Sequence, residues 1–205
     1  MHFASLIVLL ALLYFVWTGL GEPFAVAFWV AVAAPILHQI FVWVAWRIEL
    51  QSSTSSRLIG FETYIGVFFA LFAGRFATLA VLAWLDRGSL NLAPGLVVII
   101  TALLLVPGIY AIYSVQRYFG MRRAAGADHF EARYRDMPLV KRGIFRFTDN
   151  GMYLYAFLLF WAIATGFNSS AALAVAAFSH AYIWVHFFAT EKPDMDFLYG
   201  QNKES

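Results

Sequence analysis

The sequence predicts an all-α, polytopic helical membrane protein with about six membrane segments, and three observations carry that prediction. Hydrophobic residues make up 62% of the 205-residue chain and charged residues only 13%, and the mean hydropathy is +0.72. These values lie outside the range of a soluble domain. Apolar runs recur at about 3–20, 24–46, 63–85, 92–114, 152–167 and 170–189, against the roughly 17–25 residues that a helix needs to cross the hydrocarbon core. Lysine and arginine are spread unevenly over the loops between them.

The first run has no basic residue ahead of it and no small-x-small cleavage site behind it, so it reads as a retained helix rather than a signal peptide. The second carries Pro35, His38 and Gln39, and the third carries Arg75 with Glu62 near its start. Such groups are costly in lipid and are expected to pair across helices. Between these two runs, "QSSTSSRLIGFET" (51–63) is a polar connector whose Ser and Thr cap the third helix or stay hydrated. The fourth run contains Pro107-Gly108. Within the long polar segment that follows, Phe130, Tyr134 and Met137 stand at i, i+4 and i+7, which predicts a short amphipathic helix on the membrane surface. "GFNSS" alone separates the last two runs and predicts a tight helical hairpin whose Gly166 to Ser170 turn lies at the far interface. The chain therefore divides as one membrane domain, 1–205, with a four-helix scaffold (1–114), a cytoplasmic loop with its interfacial helix (115–150), and the hairpin with its tail (151–205).

Orientation follows from the basic residues, because cytoplasmic loops retain positive charge. Placing the 47–62 loop, the 115–150 loop and the C-terminal tail on one side collects twelve of the fourteen Lys and Arg residues, from Arg47 to Lys203, and leaves Arg87 on the other side with Arg75 in the third span. An even number of spans then puts both termini in the cytoplasm. The net charge of +2 largely restates this asymmetry, and the basic residues are not interleaved with stacking aromatics as in a nucleic-acid-binding face. The chain has no cysteine, which excludes disulfides and thiolate chemistry. No His/Asp/Glu cluster has metal-ligand spacing: His180 and His186, six positions apart, do not share a helix face as i, i+4 ligands do.

The chemistry-bearing stretch is "KRGIFRFTDNGMYLYAF" (141–157), which sets cations and an Asp-Asn-Gly turn, itself a good helix N-cap sequence, at the mouth of a membrane run. "GIFRFTDNGMYLY" resembles the signature of the integral-membrane methyltransferases, the phospholipid N-methyltransferase and isoprenylcysteine carboxyl methyltransferase superfamily. Gly143, Ile144, Phe145, Arg146, Asn150 and Tyr153 stand at matching positions, while Asp149 replaces an arginine and Gly151 a proline. The second signature of that family, an acidic pair after the final helix followed by a leucine and an aromatic-glycine pair, is met in "TEKPDMDFLYG" by Glu191, Met195 and Tyr199-Gly200, with Lys192 in place of the second acid. The resemblance covers roughly residues 115–200.

What the resemblance implies is a cytoplasmic site where S-adenosylmethionine lies against the last hairpin, with a lipid-borne acceptor arriving from the bilayer. Gly143, Arg146, Asn150, Tyr153, His186 and Glu191 are the cofactor-binding candidates. A sulfonium zwitterion needs a carboxylate, backbone hydrogen-bonding groups and an aromatic or apolar slot, and the hairpin brings the two motifs together although about forty positions separate them. Arg146 has a second reading as a positive-inside residue, and His180 as a helix-packing residue. If the acceptor is the amine of phosphatidylethanolamine, a base and a cationic anchor are required. "GADHFEARYR" supplies them, so His129 and Glu131, with Arg146, are the catalytic candidates. A prenylcysteine carboxylate needs positioning only. A non-catalytic transporter or assembly protein on the same fold is the alternative from another class, although Pro35 and Pro107-Gly108 show no repeat relation of the sort a transporter uses.

Overall fold

The computed structural model describes residues 2–200; Met1 and residues 201–205, Lys203 among them, lie outside it. The described residues form helices and no strands: α1 (His2–Gly19), α2 (Ala25–Ser52), α3 (Thr54–Leu58), α4 (Gly60–Leu85), α5 (Pro94–Ser114), α6 (Met121–Ala124), α7 (Ala127–Phe130), α8 (Leu158–Gly166), α9 (Ser170–His186) and α10 (Lys192–Gly200). Five helical segments are long and apolar enough to cross a membrane: α1, α2, α4, α5 extended to Phe119, and α9 extended to Tyr199. Met152–Gly166 is a sixth, shorter apolar segment, and it opens with a wide π-helical turn at Met152–Ala156.

The outer surface of this bundle is apolar, with Phe15 78% exposed and Val26, Leu103 and Val106 similarly bare. In water such a surface would be an aggregation hazard, whereas hydrocarbon accommodates it. Hydrophobicity cannot then drive helix against helix, and close packing must do so. α8 and α9 present Ala164, Ala171, Ala172 and Ala176 to the interior, all fully buried, and this lets Phe28, Phe160 and Tyr182 interdigitate between the backbones. α2 packs on α4, α5 on α8, and α1 and α2 on α9.

Two poles result, and they differ in chemistry. At one, the hairpin turn is bound to the 86–92 connection. Asp86 Oδ2 accepts from Ser169 Oγ at 2.6 Å and from the Ala171 N–H at 2.9 Å, and the Asn168 side chain pairs with both backbone groups of Leu92. Ser169 caps α9 by accepting from the Ala172 N–H. At the other pole lie the 47–60 connection, the 115–150 segment and α10, joined by Arg47–Asp194 at 2.8 Å, Arg122–Glu62 at 2.6 Å and a hydrogen bond from the Tyr64 hydroxyl to the Ala125 carbonyl.

Some local expectations are revised at this pole. Instead of one amphipathic helix, residues 127–134 form two short turns, Ala127–Phe130 and Ala132–Tyr134, because Glu131 between them is extended (φ −129, ψ 117). The Asp149-Asn150-Gly151 turn begins the following helical segment without a side-chain cap. Glu62 pairs with Arg122, outside the bundle interior, while Arg75 meets His38 across α2 and α4 at 3.4 Å. Pro193 does not end the last helix: the ladder widens into a π-helical turn at Phe187–Glu191 and continues as α10. Such a turn is a common accommodation of a residue that lacks a backbone N–H.

Candidate functional site

Below the basic pole, α2, α4, α5, the Met152–Ala156 turn and α9 enclose a cavity with about 850 Å³ of atom-free space, counted out to its open mouth. Its walls are mostly aromatic and aliphatic, Phe68, Phe72, Ile112 and Phe157 among them. That is the composition of a small-molecule site, in which a few polar groups fix orientation. Glu191, Tyr153 and His186 supply such groups at the polar end, and His38, Gln39 and Arg75 supply them nearer the middle of α2 and α4.

Tyr153 and Glu191 are the point where the two sequence motifs meet. The Tyr153 hydroxyl donates to Glu191 Oε2, across thirty-eight positions of chain. The π-helical turns at 152–156 and 187–191 carry these two residues, and each turn rotates its side chains away from the register an α-helix would impose. His186, one turn before Glu191, is 4% exposed, and its Nδ1 has no hydrogen-bond partner. A buried nitrogen without a partner is an unsatisfied donor or acceptor, and leaving it so costs about 1–3 kcal/mol.

Over the mouth lies a roof of stacked rings. The Trp46 indole donates to the Tyr64 hydroxyl at 2.8 Å and stacks on His129 at 3.9 Å between centroids. Gly126, at φ +82, passes so close to Trp46 that a Cβ there would fall within the indole. His129 is 3% exposed and lies between two carboxylates, with Nδ1 at 3.0 Å from Asp128 and Nε2 at 3.5 Å from Asp194. Asp194, itself 1% exposed, binds Arg47, and Asp128 also accepts from the Tyr199 hydroxyl at 2.9 Å. Burial works against charge on both members of the first pair, raising the Asp128 carboxyl and lowering the His129 imidazole, but their hydrogen bond to each other, the Tyr199 hydroxyl on Asp128 and the Asp194 carboxylate near His129 outweigh it. Asp128 sits below its ordinary value and His129 above its own. The result is a hydrogen-bonded clasp that joins the 121–135 segment to α10.

Of the eight residues that the sequence points to, Tyr153, His186 and Glu191 line the cavity. His129 stands behind Trp46 in the clasp, and Glu131 is paired with Arg133 and Arg122 at the surface. Arg146 lies over the Phe147 ring in a separate surface depression with Lys141 and Asp149. Asn150 follows in the turn, its carbonyl accepting from the Leu154 N–H. Gly143, at φ +60, is pressed against Ser114, whose Oγ would lie 2.5 Å from a Cβ there and which accepts from the Ile144 N–H. Its glycine is required for docking that turn on α5. Lys192 is exposed and makes no ion pair with Glu191, so the carboxylate is not neutralised by its neighbour. A further acid of this pole, Asp194, stands three positions on and is 1% exposed. Trp46 carried no signal in the sequence.

The fold and the site together define a helical membrane protein with one basic pole and, beneath it, a largely apolar cavity lined at its polar end by a half-buried carboxylate. A family model for phospholipid methyltransferases matches residues 96–202, just over half of the 205 residues, and the chain belongs to that family. No curated protein and no solved structure gives a match. The matched span begins in α5, so the family covers Tyr153, His186 and Glu191 but not His38, Gln39 or Arg75.

Proposed function

We propose that the protein is an S-adenosylmethionine-dependent methyltransferase acting on the amine of phosphatidylethanolamine or its methylated derivatives. The observation that carries this reading is the Tyr153–Glu191 hydrogen bond, which unites the two motifs at one buried cavity. The residues present fit the cofactor. The half-buried Glu191 carboxylate suits its positive charge and the aromatic walls suit its base.

When bound, S-adenosylmethionine supplies a methyl group on a sulfonium centre. Glu191 holds the positive end of the ligand, with Tyr153 fixing the carboxylate. The apolar walls and the Trp46 roof exclude water, and most of the rate enhancement then comes from placement. An acceptor ammonium must lose a proton before it acts as a nucleophile. His186, which lines the cavity and whose Nδ1 has no partner, is the group we assign to take it, while His129 holds the roof and Glu131 and Arg146 remain at the surface, where a headgroup first arrives. α4 packs chiefly on α2 and α5 chiefly on α8, and the cavity is bordered by both α4 and α5, which supports entry of a lipid from the side between them.

Incubation of the purified protein with methyl-labelled donor and mixed lipids should label phosphatidylethanolamine or its methylated forms. Label on a prenylcysteine analogue alone would reverse the substrate assignment. The basic pole is assigned to the cytoplasm, with both termini there, because twelve of the fourteen Lys and Arg residues fall on that side. A reporter fused after Ser205 should read as cytoplasmic, and an external reading would overturn both the orientation and the cytoplasmic supply of cofactor.

A further inference from the structure

The inward part of the cavity carries a cation that neither the family nor the proposed reaction accounts for. Arg75 stands fifteen positions into α4 from Gly60, which is roughly 20 Å at 1.5 Å per residue. It is 2% exposed, and among the described residues no carboxylate pairs with it. Its contacts are the faces of Phe157 and Phe160, at 5.0 and 5.1 Å, and His38 Nδ1 at 3.4 Å. Its Nε and Nη2 have no partner at all. Beside it, His38 Nε2 and both amide atoms of Gln39 are also buried and unpartnered, and all three residues line the cavity.

Unsatisfied polar atoms are rare in folded proteins, and each isolated one is destabilising. Here several converge on one wall, around a guanidinium whose fork geometry matches a carboxylate or a phosphate. Packing alone does not explain them. A residue needed only as a wedge between α2, α4 and α8 would be better filled by leucine, and aromatic faces compensate a desolvated cation only partly, by about 2 kcal/mol. In a membrane interior an unpaired ionisable group of this kind marks a ligand or ion pathway.

We propose that Arg75, with Gln39 and His38, forms an anion subsite that holds the acidic group of the lipid acceptor inside the cavity. The inference deepens the reading above and rests on it for the acceptor being a lipid. Arg75 takes the anion through Nε and Nη2, and the Gln39 amide and His38 Nε2 donate from the α2 side. In phosphatidylethanolamine the anion is the phosphodiester, separated from the amine by the short ethanolamine bridge. Holding the phosphate at Arg75 leaves the amine directed back along the cavity, toward the end where His186 and Glu191 lie. In a carboxylate lipid the same subsite takes the carboxylate. Because α2 and α4 lie outside the matched family span, the subsite is a specificity device supplied by this chain's own scaffold.

The test uses the full chain in detergent and measures direct binding of short-chain phosphatidylethanolamine, of a long-chain carboxylate and of an alkylamine of matched length with no acid group. The parent protein should bind one of the two acidic lipids at least about tenfold more tightly than the alkylamine, the range expected for a charged hydrogen bond. Whichever acid wins names the anion. Arg75→Gln should lose that preference to within about twofold while Arg75→Lys keeps part of it, and S-adenosylmethionine affinity should be unchanged in both. A merely structural arginine would not move the ratio between acidic and acid-free lipid. Equal binding of all three lipids by the parent, or an Arg75→Gln variant with the parental preference, overturns the subsite. If Arg75→Gln does not fold, the parental comparison and Gln39→Leu, expected to narrow the preference, still decide. Failure of the parent to bind S-adenosylmethionine would instead count against the functional reading, independently of the lipid ratios.

Discussion

Glu191→Gln is expected to yield a folded, monodisperse protein whose affinity for S-adenosylmethionine is at least about tenfold weaker. The substitution keeps the shape and the carbonyl oxygen that accepts from Tyr153, and removes only the charge. A carboxylate at a solvent-exposed ion pair would be worth about 0–1 kcal/mol, and among the described residues Glu191 has no such pair, Lys192 being exposed. A hydrogen bond that a partly buried carboxylate accepts from a charged ligand is worth about 1.5–3 kcal/mol, which is roughly 10- to 150-fold in affinity. Calorimetric titration of the variant separates the two values. Parental affinity together with full turnover would reduce Glu191 to a structural partner of Tyr153.

Gly126→Ala is expected to destabilise the protein more than any surface substitution. Its backbone sits at φ +82, where a β-carbon costs about 1–2 kcal/mol, and that β-carbon would overlap the Trp46 indole, an overpacking that costs about 1–3 kcal/mol more, for about 2–5 kcal/mol together. Trp46 can give way only by leaving its stack on His129 and its hydrogen bond to Tyr64, so the roof would loosen along with the fold. The thermal midpoint should fall clearly below that of the parent, and cavity probes should exchange faster. A midpoint equal to the parent's would mean that Trp46 is not held where the roof requires it.

The helical architecture was legible because hydropathy and spacing act locally. Even so, α2 runs to Ser52, past the expected end at Trp46, because Arg47 and Glu49 are good helix formers that find partners in Asp194 and Ser56. A hydropathy reading stops at the first charge, before tertiary pairing is known. The last segment runs beyond its expected end for the same reason: the π-helical turn absorbs Pro193, and the apolar count could not register α10.

At the cavity, Tyr153 and Glu191 were legible because two motifs fix their places at the ends of one hairpin, and His186 because it stands about one turn before Glu191. His129 was chosen for its chemistry and its neighbours in sequence, and what places it in the clasp is Trp46, eighty-three positions away. Arg75 and His38 were visible as costly residues expected to pair, and they do meet. That both residues line a shared cavity depends on how the helices pack, which no periodicity encodes.

The most direct test of the central claim is titration of the purified parent protein in detergent with S-adenosylmethionine. The structure predicts saturable binding at one site per chain, displaced by S-adenosylhomocysteine. A folded, monodisperse preparation that binds neither compound would contradict the assignment of the Tyr153–Glu191 cavity as the methyl-donor site.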